Sequence, residues 1–201
     1  MPLATRTISI ALAFMLLLTV ASQLLYVSFL SGVGLVEGWP LRSVIWTVEL
    51  LLFSAITIAS LVALVRSTDL QWGWAALVLA GLINMIQSGI GLSMFLPASN
   101  AGPEFAPLMG TVLAGSFLFY NLAKAILGVA AIIFGFSLFR RDKLSVRAVG
   151  VVTVIAGATS TILNIGAVHW GLGSVSMAGA SGATATFFAA VSLWFCAQSD
   201  K

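Results

Sequence analysis

Six stretches of the chain are almost wholly apolar, and short polar or Gly/Pro-rich breaks separate them. A bilayer core is crossed by about 20 residues of α-helix, and each stretch reaches that length. The pattern predicts helices over about 7–31, 42–65, 72–96, 107–139, 147–170 and 177–197. The breaks carry turn chemistry: G-V-G-L-V-E-G-W-P over 32–40, P-A-S-N-A-G-P-E-F-A-P over 97–107, and the charged R-R-D-K-L-S-V-R over 140–147. No linker is long enough to part a second domain. The expected fold is all-α: a single polytopic membrane domain over 1–201, built as a six-transmembrane-helix bundle.

Composition agrees. Of 201 residues 60% are hydrophobic and only 7% charged, where soluble domains carry about 25%. The formal charge of +3 forms no basic stripe outside one loop, so nucleic acid is not an expected partner; the lipid bilayer is. Cys196 is the single cysteine, so neither an intrachain disulfide nor a Cys/His metal cluster is expected. Arg6 and the apolar run after it look like a signal peptide, with Val20 and Ser22 at tolerable cleavage positions. The apolar character continues to about Val36, and an uncleaved first helix is the better reading. No lipidation motif is present.

Charge sets the orientation. Arg6, Arg66, Arg140, Arg141, Lys143, Arg147 and Lys201 fall on one side of this topology, and only Arg42 on the other. By the positive-inside rule both ends are cytoplasmic. Trp39, Trp46 and Trp170 then fall near the outer interface and Trp72, Trp74 and Trp194 near the inner one, as an aromatic belt would.

A rise of about 1.5 Å per residue turns sequence distance into depth. Gln23 lies about 26 Å from Arg6, Glu49 about 26 Å from Arg66, Lys124 about 24 Å from Arg140 and Asn164 about 26 Å from Arg147. Asn84 and Gln87 lie about 18 and 22 Å from Trp72. Against a core about 30 Å thick, all fall in the outer half, with Asn121 and His169 further out. Asn121 and Lys124 share a helix face, and Asn84, Gln87, Ser88 and Gly91 form one stripe. Such groups are costly in lipid, so the expectation is a polar cluster from helices 1 to 5, open toward the outside. Helix 6 opens with M-A-G-A-S-G-A-T-A-T (177–186), a packing face of small residues. Ala156, Ser160 and Asn164 give helix 5 a similar edge, and a membrane partner could sit there.

Lys124 and Glu49 are the intramembrane charges. They read as a pocket-lining ion pair open to a charged ligand or a proton, as a static pair joining helices 2 and 4, or as separate snorkelling groups. His169, before Trp170 and a Gly-rich turn, is a solvated interface residue or a proton-sensitive lid residue. G-A-S-G (179–182) matches the G-x-S-G form of rhomboid-type intramembrane serine proteases. Here, however, His169 precedes Ser181 by only twelve residues and no H-x-x-x-N pair is present. No catalytic set, metal site or named cofactor follows from the sequence.

The segment F-G-F-S-L-F-R-R-D-K-L-S-V-R-A-V-G-V-V-T-V-I-A-G (134–157) resembles a family of uncharacterised bacterial six-helix membrane proteins, a domain of unknown function. The likeness implies six helices and a bacterial inner membrane, and no activity. The functional expectation is binding or translocation of a small polar or amphiphilic solute from the outer side. Lys124 would attract an anionic group, Glu49 would balance it, and Gln23, Asn84, Gln87, Asn121 and Asn164 would supply hydrogen bonds. The 97–107 loop would act as a lid. The alternative is a non-catalytic accessory or assembly subunit of a larger membrane complex, with a sealed cluster.

Overall fold

A computed structural model describes residues 3–171, 175 and 177–198. It consists of six long helices: α1 (Leu3–Leu30), α2 (Trp39–Arg66), α3 (Gln71–Ser99), α4 (Ala106–Phe139), α5 (Leu144–Trp170) and α6 (Ala178–Gln198). A 3-10 turn, Pro103–Phe105, precedes α4. Among the described residues there is no strand, and all six helices are long and apolar enough to cross a membrane. Lys201 and most of the Gly-rich turn after Trp170 lie outside the described residues.

The exterior is as apolar as the core, and several strongly polar side chains are buried, which a water-soluble domain rarely shows. Ile162 and Ile58 are 69% and 65% exposed, whereas Lys124, Asn84 and Asn164 are at most 1% exposed. An exterior rich in branched aliphatics, with the polar side chains turned inward, suits lipid, where helices satisfy their own backbone groups. This is a multi-pass membrane protein.

Helix ends differ from the sequence expectation by a few residues, for local reasons. Pro40 begins α2 early because proline fits the first helical turn, where an N–H has no partner. Pro97 does not stop α3, since it sits exposed in the last turn and the Asn100 N–H still donates to Leu96 O at 3.0 Å. The 34-residue α4 is about 51 Å long, and most of its first turn is exposed.

Cross-helix pairs such as Ser22–Glu49, Gly91–Trp46, Gln87–Ser116, Gly135–Gly150 and Thr153–Ser192 show that successive helices run antiparallel. Packing follows a closed ring, α1–α2–α3–α4–α6, and α5 lies outside it against α4 and α6. The α4–α5 seam is tight because glycines face glycines. A Cβ on Gly157 would lie 2.5 Å from Gly128 O, and one on Gly150 would lie 2.7 Å from Gly135 O. Backbones that close gain dispersion contacts that lipid cannot match. Thr161 Oγ1 and Ser160 Oγ add hydrogen bonds to Ala125 O and Lys124 O, both 3.1 Å.

Inside the ring, the half near Arg66 and Arg140 is filled with apolar side chains. Leu12 and Leu16 of α1, Phe53 and Ile56 of α2, Trp74 and Leu77 of α3, Leu127 and Phe134 of α4, and Leu193 of α6 form one core. At the opposite end a smaller cluster, including Leu30, Ile45, Trp46, Phe95 and Val112, joins only α1 to α4. Two tryptophans assigned to the interfacial belts belong to these interiors. Trp74 is fully buried with its ring 4.9 Å from Phe134, and Trp46 is buried where Gly91 leaves room for its indole. Trp72 and Trp170 remain on the outside.

Arg42 is also internal. Its guanidinium donates to Leu30 O (3.2 Å), Val33 O (2.8 Å), Gly34 O (2.6 Å) and Leu35 O (3.2 Å), and its Nε donates to the Tyr26 hydroxyl (3.3 Å). Leu30 O at the end of α1 and three carbonyls of the loop after it need donors, a standing need where a helix gives way to a loop. One arginine, reaching back from α2, meets it here.

Candidate functional site

Between the two apolar clusters lies a cavity of about 510 Å³. Gln23 on α1, Glu49 on α2, Asn84 and Gln87 on α3, and Asn121 on α4 line it. Ser116 and Tyr120 add two hydroxyl groups. Its apolar lining includes Tyr26, Val27, Trp46, Phe95, Leu113 and Phe117, together with Ala167, Val175 and Ala178. Helix directions order these groups in depth. On α1, α2, α3 and α4 alike, the polar residues stand nearer the bundle middle than Tyr26, Trp46, Phe95 or Leu113. The cavity therefore has a polar base over the apolar core and a largely aromatic upper part.

Glu49 is the pivot of the base. It is 7% exposed, and its Oε1 accepts a hydrogen bond from Ser22 Oγ at 2.7 Å. Its other oxygen has no partner among the described residues and is not sealed, so it is accessible from the cavity. Gln87 Nε2 donates to Ser116 Oγ at 3.4 Å and Asn84 Nδ2 to Ala80 O at 2.9 Å. The side-chain amide of Asn121 makes no hydrogen bond to another described residue. Gln23 Oε1 is buried and unpartnered.

Three of the predicted site residues lie elsewhere. Lys124 is fully buried but does not line the cavity. Its stem lies against Gly182 of α6, where a Cβ would meet Lys124 Cγ and Cδ at 2.8 Å. Its Nζ sits 5.4 Å from the centre of the Tyr120 ring and has no hydrogen-bond partner. No hydrogen bond joins it to Glu49. Asn164 pins α5 to α6: its Nδ2 is shared among Ser160 O (2.8 Å), Ser160 Oγ (3.3 Å), Ala178 O (3.1 Å) and Ser181 Oγ (3.3 Å). His169 is exposed at the end of α5, its ring edge-on to Trp170 at 5.4 Å.

Two further features differ from their expected place. No residue of 97–107 lines the cavity, and Ala98 packs into the smaller apolar cluster instead. The small-residue edges of α5 and α6 are occupied within the chain: Ala156, Ser160, Ser181, Gly182, Ala185 and Ala189 are all buried. Among the described residues, no group of acidic, His or Cys side chains has a metal-holding arrangement.

The aromatic lining and Ser116 were not singled out from sequence. Ser116 and Tyr120 are four apart, and Asn121 follows, which is the spacing of one helix face. That register was a usable signal. No protein-family model, curated protein or solved structure matches the chain.

Proposed function

We propose that this protein binds, and in a transport cycle carries, a small amphiphilic solute in the cavity between α1, α2, α3, α4 and α6. The observation that carries this reading is the accessible Glu49 oxygen at the polar base of a cavity of about 510 Å³ whose upper wall is apolar. Ligand sites of this size are concave and mostly apolar, with a few placed polar groups for orientation. A polar head would settle on Glu49, Asn84, Gln87 and Asn121, and an apolar body would lie along Trp46 and Phe95.

In this reading the α1 start and the α6 end face the cytoplasm of a bacterial cell, and the cavity faces outward. Arg66, Arg140, Arg141, Lys143 and Arg147 favour that side. The one basic residue at the opposite end, Arg42, is bound to backbone carbonyls and stays there for a structural reason. The bacterial inner membrane of this reading rests on the resemblance of 134–157 alone.

Reagent access to the cavity tests the reading. With Cys196 replaced by alanine and Ser116→Cys introduced, a small charged thiol reagent added outside should label the new cysteine. Gly179→Phe should block that labelling, because Gly179 lines the cavity and a Cβ there meets only the Tyr120 hydroxyl at 3.5 Å. A folded protein whose Ser116→Cys never reacts would have a sealed cluster. The accessory-subunit reading would then replace this one.

A further inference from the structure

The acid–base side chain that the cavity presents is a carboxyl group. Glu49 is the only carboxylate lining it, and no basic side chain does so among the described residues. One carboxylate oxygen is held by Ser22 Oγ at 2.7 Å and the other is reachable from the cavity. The nearby base, Lys124, lies behind the lining, fully buried, with its amine on the Tyr120 ring. An anion in the cavity would meet the carboxylate and aromatic faces before it could reach that amine.

The walls have the matching preference. Trp46 is the hub of an aromatic group, stacked with Tyr26 at 6.0 Å and edge-on to Phe95 at 5.3 Å. All three line the cavity, as do Phe53, Phe117 and Tyr120. Aromatic faces attract organic cations through the ring quadrupole, most strongly where water is excluded. A carboxylate beneath such walls gives a cationic head both a counter-charge and a soft lining.

We infer that the solute held in this cavity is an organic cation, an ammonium group on an aromatic or alkyl body, with its charge against the free oxygen of Glu49 and its body among Trp46, Phe95 and Phe117. This rests on the binding reading above and names the ligand class for it. It also reverses the role first expected of Lys124, which repels the ligand's charge from behind the wall and does not attract it.

Three monocyclic aromatic probes of three charges test the inference on the intact protein in nanodiscs of zwitterionic lipid. They are benzyltrimethylammonium, benzyl alcohol and benzenesulfonate, titrated calorimetrically against protein and against empty discs. Saturable binding of the cation, with the other two weaker, is the expected result. Glu49→Gln should weaken it about 10- to 100-fold, the scale of one charge-assisted contact. Lys124→Met should leave it unchanged or tighten it. Preferential binding of benzenesulfonate, lost in Lys124→Met, would overturn the cation assignment while leaving a binding cavity intact. Equal binding of benzyl alcohol would overturn it likewise. If none of the three binds, the cation assignment fails, and the Ser116→Cys labelling decides separately whether the binding reading survives.

Discussion

Lys124 shows how much one residue's surroundings decide. An amine at membrane depth invites a functional reading, yet its stem is walled by Gly182 and its head rests on Tyr120. In the folded protein amine reagents should modify the exposed Lys143 and spare Lys124; mass spectrometry of labelled peptides checks this, and equal labelling would contradict the enclosure. Gly182→Ala should cost about 1–3 kcal/mol, the usual range for overpacking. Most of that loss should vanish in a Lys124→Ala background, a coupling that thermal unfolding of the double-mutant cycle would measure. Arg42 makes the opposite case, a charge spent entirely on backbone. Arg42→Met should destabilise the α1–α2 hairpin by at least about 2 kcal/mol, because the buried Leu30 O and three part-buried loop carbonyls lose their donor. A neutral effect in thermal unfolding would mean that water can replace the guanidinium.

At the scale of elements, the six helices were legible because an apolar run of bilayer length has few other meanings. A common level along the bundle was legible too, because rise per residue is fixed, and five of the eight polar residues picked by that count line one cavity. Direction was harder. Asn121 and Lys124 share a broad face, but three residues turn a helix about 300°, so the two point about 60° apart. That angle separates the cavity from the Gly182 wall. The tight α4–α5 seam was also missed. Its glycines, Gly128 with Gly135 and Gly150 with Gly157, recur at seven-residue spacing within helices where small residues seemed unremarkable. Gly157→Ala should therefore cost about 1–3 kcal/mol or more, since the obstructing atoms are backbone and cannot swing away. Alanine at Gly89 or Gly115, where a Cβ meets nothing within 4 Å, should be neutral or stabilising by up to about 1 kcal/mol. Thermal unfolding of the three variants side by side checks the contrast.

As a whole molecule the protein is a ring with one half filled and one half hollow. Passage of a solute would require the Phe53–Trp74–Phe134 region to part, and the glycine seam argues that α4 and α5 would move as one body while α1 and α2 shift. Sequence alone held no sign of this division, because ring membership depends on which helices touch. The ring closes where α1 meets α6. During synthesis, then, the cavity has no complete wall until α6 has inserted, and Lys124 lacks its cover for as long as Gly182 is still in the ribosome. A lysine left facing lipid costs up to about 2.5–3.5 kcal/mol, the value at a helix centre. That penalty favours docking of α6, the least apolar of the six spans. A stalled chain ending after α5 should accordingly show a Lys124 that amine reagents reach, and release of the full chain should hide it. On this argument the buried lysine would serve during synthesis as a latch for α6, which emerges after the other five helices.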